Sequence, residues 1–186
     1  MKKKEHMPIM SIEDERFMAF TGLIQWTQGV VLQSKRVTLA TEQITKHMAE
    51  PATDANYFTL QNQFLNLLHC EEHYFIISAN KLIEHREWIK ELGLFKNVDF
   101  SEIDSFPTQN IKDLRDMREH IVHYFKGDGK VKERWVIKAP NYSADASSRI
   151  DNMLGGRLDY IKFVDAAERL LPRLLKELIP YPPNRL

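Results

Sequence analysis

From Tyr57 to Leu92 the chain runs without a proline or a glycine, and Gly93 stands where such a run would end. A segment of that length, with apolar residues recurring at helical spacing, is accommodated by one long α-helix, because strands average only about five or six residues. Gly93 then supplies the residue that most easily closes a helix in the left-handed conformation. The rest of the chain keeps the same habit. Only 7 glycines and 8 prolines occur in 186 residues, and most fall between periodic stretches. The economical fold is therefore all-α, a helical bundle with a long helical spine.

The other elements are set by their start and stop signals. Ser11, with Asp14 three positions on, predicts the N-cap of a first helix running through FMAFTGLIQWTQGVVLQSK, with Phe17, Phe20, Ile24 and Val31 on its buried face. A short second helical segment is expected around Leu39 to Met48, ended by Pro51 and the polar PATDAN stretch. After the spine, KNVDFSEIDSFPTQN reads as a loop, and a helix from about Ile111 to Lys126 stops at the Gly-Asp-Gly of 127–129. KVKERWVIKAP has some strand character, so 127–148 is expected to be a short irregular or β-ribbon excursion. Ser148 reads as the cap of a final helical run through DNMLGGRLDYIKFVDAAERLLPRLLKELI, which Pro172 should kink or restart. One domain over 1–186, with a flexible N-terminal arm over 1–10, fits the length.

Composition narrows the functional classes. Twenty-six Lys plus Arg balance twenty-six Asp plus Glu, so a broad electrostatic hold on nucleic acid or an anionic membrane is absent from the totals. The basic start MKKK lacks the apolar run of a secretory signal, and no stretch approaches the roughly 20 apolar residues of a membrane span. The single cysteine, Cys70, cannot form an internal disulfide. A reducing, cytoplasmic location is the expectation.

The stretch DLRDMREHIVHYF, Asp113 to Phe125, is the densest in chemistry. On a helix turning about 100° per residue, Ile111, Leu114, Met117, Ile121 and Phe125 share one face. Arg118 points into that apolar arc, where a guanidinium must find an acceptor or lie at an interface. Glu119 and His123 form an i, i+4 pair on the opposite side, with Asp116 and His120 beside them; an acid so placed either merely supports the helix or orients an imidazole for proton transfer. On the spine, Asn62, Asn66, His69, His73, Asn80 and Glu84 lie on one narrow stripe. That stripe is either the solvated side of the helix or the wall of a cleft.

Arginine, four residues, histidine at Arg118 and His123, followed by Tyr124, resembles the signature of the HEPN superfamily of small helical proteins. An overlapping copy runs from Arg115 to His120, with the polar Asp116 after the arginine. In one branch of the family a tyrosine stands two residues beyond the histidine, whereas Tyr124 stands one beyond. Members are typically dimeric helical bundles, many of them metal-independent ribonucleases of toxin–antitoxin and antiphage systems. The resemblance implies RNA as substrate, a homodimer with the active site at its interface, a cognate neutralising protein, and no metal or other cofactor. Under it His123 is the proton-transfer group, Arg118 the phosphate clamp, Glu119 the residue orienting His123, and His120 a second proton carrier. Arg115, Tyr124, Asn66, His69 and His73 are the expected substrate contacts. Such chemistry is self-sufficient, because the RNA 2′-hydroxyl is the nucleophile and the protein need supply only a base, an acid and a cation.

Two other readings stay open. His69 and His73, at i and i+4, could join His120 and His123 in a metal site, although neither helix carries Glu, two residues, His. The chain could instead be a non-catalytic helical module that binds a protein or small ligand along the asparagine and histidine stripe. Lys126, Lys130, Lys132, Arg134 and Lys138 could add an RNA-facing patch, or simply be a solvated ribbon. Gly155–Gly156 suits a turn into a helix better than a phosphate cradle, since no strand precedes it.

Overall fold

The computed structural model describes residues 11–52, 56–129, 134–139 and 142–177. The arm expected over 1–10, and Lys130 and Lys132, lie outside these residues. The chain is mostly helical with a short β excursion. Helix α1 spans Ile12–Met48 and α2 spans Tyr57–Glu91. Ser11 caps α1 as expected: its hydroxyl accepts from the Asp14 amide at 3.1 Å and the Asp14 carboxylate accepts from the Ser11 amide at 3.3 Å. The separate segment expected over Leu39 to Met48 is simply the end of α1, since nothing between Lys35 and Leu39 breaks helical backbone. Gly93, at φ +63°, closes α2.

The two long helices form an antiparallel hairpin. Trp88 Nε1 donates to Glu15 at 3.1 Å at one end, and His47 Nε2 lies 3.0 Å from the Tyr57 carbonyl at the other. Leu23, Val30 and Val37 of α1 and Phe75, Ile76 and Leu82 of α2 are wholly buried between them and α6, Tyr160–Lys176, whose Phe163 meets Phe75 edge to face. A single turn, α3 (Ser101–Asp104), precedes α4 (Thr108–Glu119), which lays Ile111, Leu114 and Met117 on the same core. No helix among the described residues is long and apolar enough to cross a membrane.

Two departures concern the second half. The helix expected from Ile111 to Lys126 is broken at His120, whose φ −112° and ψ 28° belong to no helix, so α4 gives way to a separate short α5, Ile121–Phe125. Phe125 therefore leaves the apolar face on which its spacing placed it. The expected cap at Ser148 is also absent. Ser148 instead closes a turn on Asp145, whose carboxylate accepts from the Ser147 and Ser148 amides at 2.8 Å each. The segment expected to enter a helix there is built of strands. Strands β1 (Val136–Ala139) and β2 (Tyr142–Asp145) make a hairpin, and β3 (Arg149–Ile150), β4 (Met153–Leu154) and β5 (Leu158–Asp159) a three-stranded antiparallel meander. Asp151, at φ +51°, turns the chain between β3 and β4, and Gly155 and Gly156, at φ +53° and +65°, turn it between β4 and β5. A Cβ on Gly155 would stand 2.4 Å from the Leu114 side chain and 3.1 Å from the Ala146 backbone, so the turn favours glycine both by conformation and by close packing. The true cap of α6 is Asp159, which accepts from the Lys162 amide at 3.2 Å. Pro172 sits inside α6 without ending it.

The excursion is fastened to the helices by buried charge. Glu72 of α2 is fully buried. Its two oxygens face Arg118 Nη2 of α4 at 3.3 Å and Arg149 Nη1 of β3 at 3.2 Å. Arg118 Nε donates to the Ala146 carbonyl at 2.9 Å, while Arg149 also reaches Thr41 Oγ1 at 3.1 Å and Tyr160 Oη at 3.2 Å. A buried carboxylate is tolerable only with such partners. Replacing Glu72 by Gln should lower unfolding stability by about 3–5 kcal/mol, because two guanidiniums are left facing a neutral amide. Urea titration reads this as a lower midpoint at unchanged slope, and a loss below about 1 kcal/mol would refute it.

Candidate functional site

The candidate site lies where α4 crosses α2 and then breaks. Ion pairing fixes α4 antiparallel to α2: Lys112 meets Glu87 at 3.2 Å near one end, and Arg118 meets Glu72 near the other. Between these contacts lies a polar seam. Asn80, buried beneath α4, donates through Nδ2 to Glu84 at 2.7 Å, and Glu84 accepts from Lys81 at 2.7 Å. Burial of the Glu84 carboxyl is outweighed by its bonds to Lys81 and Asn80 and by the Arg115 charge, which hold its pKa below the ordinary value.

The two arginines of α4 have opposite fates. Arg118 turns inward; its side chain is 7 % exposed and bound to Glu72 and the Ala146 carbonyl. Its guanidinium has found the acceptor that its place in the apolar arc demanded. Arg115 stays partly open, with Nη1 at 3.0 Å from Glu119 and 3.3 Å from Asp116. Burial opposes its charge, but Glu119, Asp116 and Glu84 raise its pKa above the ordinary value. Arg115 Nε and Asn80 Oδ1 are buried with no hydrogen-bond partner among the described residues, an uncommon condition that marks this seam as imperfectly saturated.

Glu119 thus binds Arg115 instead of orienting His123, because the break at His120 removes the i, i+4 relation between Glu119 and His123. Beyond the break His120 and His123 are both exposed, with ring centroids 6.1 Å apart and planes at 66°. The His120 carbonyl accepts from the His123 amide at 2.9 Å, which ties the two residues through the first turn of α5. His123, 63 % exposed, has Nδ1 3.4 Å from Asp128. Tyr124 stacks on Trp135 at 5.2 Å.

The stripe on α2 divides. Asn62, Asn66 and His69 are exposed, His73 and Glu84 are half-buried, and Asn80 is covered by α4. His73, half-buried, feels the charges of Arg118 and Glu119, whereas Asn66 and His69 lie one to two turns further along open helix. Among the described residues no three His, Cys, Asp or Glu side chains converge on a point where a metal could sit, so His69, His73, His120 and His123 are not assembled as ligands. Of the basic residues flanking the motif, Lys126 and Lys138 are exposed, and Arg134 is bound to the buried Asp113.

Sequence reasoning passed over Glu72, Arg149 and the Asp113–Arg134 pair. Glu72 carried a readable signal: it shares its helix face with Leu68, Phe75, Ile76 and Ala79, all buried. Arg149 carried none while its segment was read as helix. Family models, curated proteins and solved structures give no match to this chain.

Burial, and then the Arg118 charge, lower the pKa of His73 below its ordinary 6.5, against a smaller opposing effect of Glu119. A histidine whose folded-state pKa is depressed stabilises the fold fully above the unfolded value and loses that contribution as pH falls through the folded value. The melting temperature should therefore fall as pH drops below about 6.5, and fall less in His73→Gln. Parallel pH profiles for the two proteins would contradict the assignment.

Proposed function

We propose that the chain is an endoribonuclease that cleaves RNA with protein groups alone, using His120 and His123 as the proton-transfer pair and Arg115 as the cation at the phosphate. The observation that carries this reading is the imidazole pair at the helix break. Two exposed rings 6.1 Å apart can each come within hydrogen-bond reach, about 2.6–3.2 Å, of opposite oxygens of one phosphodiester. One imidazole removes the 2′-hydroxyl proton as that oxygen attacks phosphorus. The other protonates the 5′-oxygen as its bond to phosphorus breaks, leaving a cyclic phosphate and a 5′-hydroxyl. Arg115, one turn before the break, is the more accessible guanidinium even though it pairs with Glu119 and Asp116, since Arg118 is buried on Glu72. This favours the Arg115–His120 copy of the HEPN-like spacing over Arg118–His123.

Homodimerisation belongs to the same reading. The imidazole pair stands on an open surface, and a second copy would supply the enclosing wall. Leu32 and Leu39 on α1, and Leu60, Leu67 and Tyr74 on α2, are exposed at seven-residue spacing, as residues along a helix-packing seam are. The lone Cys70 favours a reducing, cytoplasmic setting, and a neutralising protein partner rests on the family resemblance. A second reading, a non-catalytic binding module, draws on the open half of the α2 stripe at Asn62, Asn66 and His69.

The test is cleavage of single-stranded and structured RNA in excess EDTA by the wild type and by folded His120→Ala, His123→Ala and Arg115→Ala variants. Each histidine variant should lose about 10²-fold or more, the usual contribution of a positioned proton-transfer group. Equal rates in all four proteins would assign the cleavage elsewhere, and a wild type inert on every RNA would leave the binding module.

A further inference from the structure

Helix α5 leaves Phe125 uncovered, while Tyr124 and Trp135 beside it are half-buried against the core. Among the described residues Phe125 is the most exposed large apolar side chain, at 76 %. A solitary exposed ring would be ordinary, but this one is not solitary. Its edge meets Trp135 at 5.8 Å, and Trp135 stacks on Tyr124 with the planes 24° apart. Gly129 lies close against Tyr124, where a Cβ would stand 2.6 Å from the ring. His123 stands on the same five-residue helix, and Val122 beside it is exposed as well.

The chemistry of the border decides what such a ledge takes. Lys126 directly follows Phe125, Lys138 is exposed on β1, and Arg134 adjoins Trp135 in sequence with its guanidinium partly open. Among the described residues Asp128 faces His123 and Asp113 pairs with Arg134. Flat aromatic faces bordered by cations match a strand that presents unpaired bases and phosphates together, and a duplex, which hides its base faces, does not match. Stacking also suits a chain of zero net charge, because it supplies affinity that does not depend on phosphate neutralisation alone.

We propose that Phe125, braced by the half-buried Tyr124–Trp135 stack, forms a base-stacking ledge for single-stranded RNA, which seats nucleotides beside the phosphate held at His120 and His123. The ledge rests on the ribonuclease reading for the bond that is cut, yet its binding is separable from cutting. The probe is a 2′-O-methyl oligonucleotide, which lacks the attacking hydroxyl, titrated single-stranded and as a duplex and monitored by fluorescence anisotropy. The single strand should bind and the duplex should bind much more weakly. Phe125→Ala should weaken the single strand roughly tenfold, the scale of one lost base stack. Phe125→Leu, which keeps apolar bulk on an exposed site, should weaken it too. On cleavable RNA, Phe125→Ala should raise KM with kcat little changed. No binding by the wild type, equal binding of strand and duplex, or unchanged affinity in Phe125→Ala would each overturn the ledge. Normal binding by a wild type that cuts no RNA would keep the ledge and remove the ribonuclease reading; cleavage indifferent to Phe125 would do the reverse.

Discussion

Glu72 has no access to water, and everything near it is arranged so that its charge is answered. Arg118 reaches it from 46 residues away in the chain and Arg149 from 77. Burying a carboxylate with two guanidiniums is seldom a large source of stability, since desolvation offsets most of the attraction. What it does is discriminate among arrangements. Any packing of α4 or of β3 that withdrew an arginine would strand an unpaired charge in the interior. The second anchor, Asp113 with Arg134, works on the neighbouring stretch of α4, so helix and excursion are held as one piece.

This constraint also decides what α4 can offer to a ligand. Its two arginines are three residues apart and lie on different sides, and only one can face Glu72. The inward one is structural in this chain; the outward one keeps an exposed edge and a raised pKa under three carboxylates. Where the helix stops, the backbone at His120 turns the next imidazole away from Glu119 and toward Asp128. His73 on α2 is pushed toward its neutral form.

Much of the helical frame was legible. The uninterrupted run before Gly93, the Ser11–Asp14 box and the stop at Gly127 all act locally, so their meaning does not wait on tertiary contacts. The meander was not legible in the same way. Strands of two residues are too short to show a period, and the reading of Gly155–Gly156 as a turn into a helix rests on no strand preceding it, whereas β4 ends at Leu154, directly before Gly155. At the site, Arg118 announced its need for an acceptor by lying in an apolar arc, and Glu72 announced the same need on α2. Setting the two side by side would have paired them. The break at His120 has no such signature: no proline or glycine marks it, and Ile121 and Phe125 keep helical spacing with Ile111, Leu114 and Met117.

The break frees α5 from the register of α4, and its attachment passes to Tyr124 lying on Trp135, just ahead of the β1–β2 hairpin. The orientation of His123 therefore depends on a stack that joins α5 to the start of the ribbon, both rings resting on the core. A substitution at Trp135, remote in sequence from the motif, could thus re-aim that imidazole without altering a single motif residue.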